Sequence, residues 1–111
     1  MFKVLIAGDY CPNARIAQMV DKQDYVFFDQ IKDFVKQTDY SIVNFECPIV
    51  EGDEKPIKKC GPCLKTNPNA VDAIKYAGFD CVTLANNHFR DFGDGGCIAT
   101  LNELNRLNID H

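Results

Sequence analysis

The 111-residue sequence predicts an α/β fold in which three parallel strands alternate with flanking helices. Three observations lead there. Short apolar or β-prone runs recur at residues 1–7, 40–45 and 79–85. Segments of helical spacing, punctuated by Gly and Pro, stand between and after them. Each run delivers polar side chains at its carboxyl end: Asp9, then Glu46, then Asn86, Asn87 and His88.

Met1 to Ala7 is nearly continuously apolar and ends at Gly8-Asp9, the pattern of a strand buried on both faces and followed by a tight turn. Cys11-Pro12-Asn13 punctuates the chain, and Ala14 to Val20 fits a short helix. From Tyr25 to Gln37, the residues Phe27, Ile31, Phe34 and Val35 share one helical face, which predicts an amphipathic helix. Tyr40 to Phe45 is β-branched and aromatic, and Pro48 stops its pairing soon afterwards. Residues 49–66 carry two glycines and two prolines among charges and form a long irregular loop.

Asn67-Pro68 fits an N-cap followed by a first-turn proline. Val71, Ile74 and Ala77 mark the buried face of that helix, and Gly78 ends it. Phe79 to Ala85 is the third strand. Gly93 to Gly96 then reads as a flexible turn into a last helix, with Cys97, Ile98, Leu101, Leu104 and Leu107 at helical spacing. Ile109-Asp110-His111 falls where a fourth strand is expected. Successive strand–helix–strand units predict right-handed crossovers, one layered domain over residues 1–111, and a ligand site beyond the carboxyl ends of the strands.

Composition narrows the function classes. The net charge is −4 and no basic stripe occurs, which argues against a nucleic-acid partner. The first apolar run is too short for a signal peptide's core or a membrane span, so a soluble, cytoplasmic chain is expected. Most of the six cysteines, in the absence of an export signal, are expected to be free thiols, with Cys81 and Cys97 packing inside periodic apolar segments.

Taken singly, Asp after Gly, Glu near Pro and paired Asn residues are ordinary turn chemistry. Together, Asp9, Glu46, Asn87 and His88 bring two carboxylates, a carboxamide and an imidazole to one sheet edge. That set suits two cations with one bridging carboxylate, and an imidazole assisting a phosphoryl-type leaving oxygen.

The chain carries Gly8-Asp9, Asn44-Phe45-Glu46-Cys47-Pro48, and Ala77-Gly78-Phe79-Asp80 running into Leu84-Ala85-Asn86-Asn87-His88. Asp91-Phe92-Gly93, Gly96 and Thr100-Leu101 follow. In these motifs it resembles the bacterial CapA family of capsule or poly-γ-glutamate synthesis proteins, a branch of the calcineurin-like metallophosphoesterase superfamily. The resemblance runs over essentially the whole chain and implies the N-terminal half of that layered fold. It further implies divalent metal ions, two of them, drawn from Mn, Zn, Fe or Mg. Asp9, Glu46 and Asn87 would be ligands, with Glu46 bridging, and His88 would be the catalytic or phosphate-contacting imidazole. The substrate class implied is a phosphoester or a polymer such as polyglutamate.

Superfamily members draw further histidine ligands from a second half, whereas only His111 follows His88 here. The expectation is therefore an incomplete domain, weak or inactive alone and prone to self-association through uncovered sheet surface. Membrane association would come through partners. The alternative is a non-catalytic binding or assembly component of a capsule or polyglutamate system.

Two other motifs are weaker. Cys60-Gly61-Pro62-Cys63 has redox-dithiol spacing but lies in a loop, without the strand-then-helix context that activates such thiols, and no second pair completes a zinc site. The glycines at 93–96 lack the Lys-Ser/Thr of a phosphate-binding loop.

Overall fold

The computed structural model describes residues 1–111 and contains one three-stranded parallel sheet in the order β1-β2-β3, with β1 at Val4–Tyr10, β2 at Tyr40–Phe45 and β3 at Cys81–Thr83. Helices α1 (Ala14–Asp21), α2 (Asp29–Val35, led in by a 3-10 turn at Val26–Phe28), α3 (Asn69–Ala77) and α4 (Gly93–Arg106) complete the expected α/β alternation. Asp110 pairs with Cys81 in parallel beyond β3, where a fourth strand was expected.

One face of the sheet is covered. Ser41, Val43, Phe45 and Val82 point into a core that also contains Val20, Phe28, Val35, Val71, Ile74, Phe79 and Leu104. Tyr10 closes that core at the end of β1, stacked on Phe45 with ring centroids 5.7 Å apart. The other face is open: Val4 is 52% exposed and Ile6 77% exposed. The expectation that the first strand is buried on both faces is therefore wrong, because no element lies over this side of β1. The first strand also runs past Gly8 instead of turning there. A register irregularity between Ile6 and Asp9 accommodates Gly8, and Asp9 and Tyr10 pair with Asn44 and Phe45.

Three further elements depart from expectation. Phe28 and Val35 are the buried residues around α2, while Ile31 and Phe34 are exposed, so the expected shared face of Phe27, Ile31, Phe34 and Val35 is not buried as a unit. The third strand is only three residues long. Asn86 Nδ2 bonds the Phe45 carbonyl at 3.0 Å, so a side chain takes over where the backbone ladder of β2 would continue.

The last helix begins at Gly93, making the glycine run its first turn and not a flexible approach. Gly96 sits in close packing: a Cβ would lie 3.2 Å from Phe92 Cβ and 3.4 Å from Pro48 Cβ, a tight fit that a larger residue meets only if these neighbours yield. Gly78 ends α3 at φ 91°, the left-handed conformation expected of it, and Asn67 Oδ1 accepts the Asn69 N–H at 2.9 Å near the helix start.

Candidate active site

The carboxyl ends of the strands carry a connected polar row. Asn44 is its centre: its Nδ2 donates to Asp9 Oδ1 at 2.8 Å, and its Oδ1 accepts from Thr83 Oγ1 at 3.0 Å and Asn86 Nδ2 at 3.2 Å. All three strands are thereby tied together across one residue of β2. Glu46 follows directly, with its N–H bonded to the Tyr10 carbonyl at 3.1 Å, so Asp9 and Glu46 are carried by adjacent strand ends.

Asn86 shapes the turn that presents Asn87 and His88. Its Oδ1 accepts both the His88 and Phe89 backbone N–H groups at 3.0 Å, an Asx arrangement that orients the next two residues. Asn87 is exposed. Cys97 Sγ donates to the Phe89 carbonyl at 3.4 Å and packs beneath this turn.

His88 is held from behind by Asp91, which has no exposed surface. His88 Nδ1 lies 2.7 Å from Asp91 Oδ2, and the Leu64 N–H donates to the same oxygen at 2.6 Å. Lys59 Nζ bonds the other carboxylate oxygen and also donates to the Asn87 carbonyl at 3.3 Å. Lys59 Nζ also sits 3.4 Å from His88 Nδ1. An ammonium only donates and an ionised carboxylate only accepts, so the network assigns the Nδ1 proton to the bond with Asp91. Neutral His88 then keeps Nε2 as its free acceptor, the tautomer a base or ligand requires.

Burial pushes the Asp91 carboxyl upward, but hydrogen bonds from Lys59, His88 and Leu64 outweigh that and hold it below the usual carboxylate range. Asp91 also anchors the long loop over residues 49–66: its carbonyl accepts the Ile57 N–H at 2.9 Å. The loop closes at its base through Val50 N–H to Thr66 O and Thr66 N–H to Pro48 O, both 3.0 Å. Buried Thr100 secures that base from α4, accepting the Ile49 N–H at 2.8 Å and donating to Gly96 O at 2.7 Å.

Cys11 and Cys47 follow the first two strand ends, and their sulfurs lie 3.3 Å apart. Cys47 is pushed well above the ordinary thiol range by burial, by the contact with Cys11, and by the nearby negative charges of Glu46 and Asp91. Cys60 is exposed, while Cys63 donates to the Ile57 carbonyl at 3.6 Å.

Reasoning from sequence singled out Asp9, Glu46, Asn87 and His88. The contacts among these elements run through four residues it had given no role: Asn44, Asn86, Asp91 and Lys59. Asp91, three residues after His88, was the one with a local signal. No three His, Cys, Asp or Glu side chains are gathered closely enough to hold an ion by themselves. By donor type Asp9, Glu46 and Asn87 suit a hard cation: Asn44 occupies one Asp9 oxygen, Glu46 accepts no side-chain bond, and Asn87 is exposed. The two surface clefts lie elsewhere, one lined by Asn105, Asn108, Ile109, Asp110 and His111, the other by residues of α1 and the long loop's ends.

The sequence model of the family described as bacterial capsule synthesis protein PGA_cap matches residues 3–111. The chain belongs to this family. Among curated relatives it is 31% identical over 110 residues to the capsule biosynthesis protein CapA of Bacillus anthracis, covering 96% of this chain and 26% of that protein. It is 32% identical over 85 residues to the PGA biosynthesis protein CapA of Bacillus subtilis strain 168, covering 75% of this chain and 22% of that protein. The PGA_cap chain thus spans about a quarter of the length of the relatives it matches. No helix in it is long and apolar enough to cross a membrane.

Proposed function

We propose that this PGA_cap-family chain contributes the N-terminal part of a metal-dependent phosphoesterase-type site used in capsule or poly-γ-glutamate biosynthesis. The observation that carries the reading is the placement of His88. A buried carboxylate orients its Nδ1, leaving Nε2 free, on the same sheet edge as Asp9 and Glu46. Asp9, Glu46 and Asn87 would hold divalent cations, and a cation there supplies Lewis acidity toward a phosphoester oxygen and an attacking water. His88 Nε2 moves a proton at the reacting oxygen, and Lys59 and Asp91 keep the ring from turning.

Two carboxylates and one carboxamide are too few for tight binding, so the remaining ligands come from sequence beyond this stretch and the chain alone is weak or inactive. The open sheet face, with Val4 and Ile6, supports self-association when nothing else covers it. Cytoplasmic location, with membrane association through partners, is part of the same proposal.

Calorimetric titration of Mn²⁺ into a protein of the relatives' full length, carrying this sequence, tests the ligand assignment. The expected result is at least a tenfold loss of affinity in the Asp9→Ala, Asn87→Ala double variant. Unchanged binding would remove the assignment. A second reading, a binding or assembly component without catalysis, is favoured by the shortage of ligands and the open apolar face. Metal-dependent phosphoester hydrolysis that depends on His88 would exclude it.

A further inference from the structure

The sulfur pair that this fold brings together is not the one with redox spacing in the sequence. Cys60 is exposed, Cys63 is bonded to the Ile57 carbonyl, and no hydrogen bond joins their sulfurs. Cys11 and Cys47 are 36 residues apart in sequence, yet their sulfurs are 3.3 Å apart. The β1–β2 pairing of Tyr10 with Phe45 sets this distance, since each cysteine lies just beyond a paired strand end. A disulfide needs an S–S distance of about 2.0 Å, so the sulfurs have only about 1.3 Å to close. Cys11 is half-buried and its sulfur accepts a hydrogen bond from Asn13 Nδ2 at 3.7 Å, whereas Cys47 is 1% exposed.

We propose that Cys11 and Cys47 are a redox-active dithiol that low-molecular-weight disulfides such as glutathione disulfide convert to a bond between the ends of β1 and β2. Cys11, the reachable sulfur, attacks glutathione disulfide as its thiolate, forming a mixed disulfide and releasing one glutathione thiolate. Cys47 then gives up its proton and attacks the Cys11 sulfur, expelling the second glutathione. Two protein thiols are oxidised, one glutathione disulfide is reduced, and the two protons end on the two glutathiones. The bond ties together the segments carrying Asp9 and Glu46.

Tryptic mapping resolves the products, because residues 4–15 carry only Cys11, residues 37–58 only Cys47, and residues 60–65 both loop cysteines. The folded 111-residue chain treated with glutathione disulfide is expected to give mainly peptide 4–15 joined to 37–58. That link should persist in the Cys60→Ser, Cys63→Ser variant. In Cys47→Ser and Cys47→Ala, Cys11 should instead retain glutathione. In concentrated urea the preference should pass to the short 60–63 ring, which then has the lower closure cost. A stable glutathione adduct on Cys11 of the unsubstituted chain, or the same product pattern with and without urea, would overturn the proposal.

Discussion

Asp9 and Asp91 are both aspartates of the candidate site, and the fold treats them in opposite ways. Asp91 is fully buried and takes bonds from Lys59, His88 and Leu64, whereas Asp9 is exposed and takes one, from Asn44. Burying a carboxylate is costly unless it is thoroughly paired, so Asp91 belongs to the folded framework. An exposed carboxylate with a spare oxygen contributes little to folding and remains free for a ligand. Asp91 is bound into the folded framework, and Asp9 is left open to solvent.

Asp91→Ala breaks that contrast most severely. It leaves the Lys59 ammonium, the His88 ring and the Leu64 N–H without their shared acceptor, and a loss of about 3 kcal/mol is expected, read from urea unfolding. The unsubstituted chain should show the same dependence in its acid limb. Because the folded Asp91 carboxyl lies below its unfolded value, its stabilisation is full above about pH 4. It is lost as pH falls through the lowered folded value. Unfolding followed from neutral pH into that range should show this component in the parent and not in Asp91→Ala.

Asn86→Ala should cost less, about 1–2 kcal/mol, since it removes acceptors for two N–H groups and a donor to the Phe45 carbonyl near the surface. Its signature is a shifted His88 ring resonance in NMR spectra. Asp9→Ala stands last, with a stability change within about 0.5 kcal/mol. Equal destabilisation by Asp9→Ala and Asp91→Ala would erase the distinction between framework and ligand.

Much of this was legible in local sequence. The second strand matches its expected ends, and the helix at Asn69–Ala77 follows from its periodicity and from Gly78. What stayed hidden depends on distant partners. Lys59 reaches Asp91 across 32 residues, so nothing beside Lys59 identifies it. Asn44 looked like one more strand residue, although it joins three strand ends. The open side of β1 was misread because a continuous apolar run looks the same whether both faces are covered here or one is left for other chain segments. The early start of α4 was missed because glycine is a poor helix former, and only the close approach of Pro48 and Phe92 explains Gly96.

In the proposed function, His88, oriented by Asp91, works chemically beside a metal held by Asp9, Glu46 and Asn87. The most direct measurement is Mn²⁺-dependent hydrolysis of an aryl phosphate by a protein of the relatives' full length carrying this sequence, compared with its His88→Ala variant. The expected result is a kcat lower by roughly 10²–10⁴-fold, with Mn²⁺ affinity within about twofold of the parent. Hydrolysis unaffected by the substitution, or absent from the parent at saturating Mn²⁺, would contradict it.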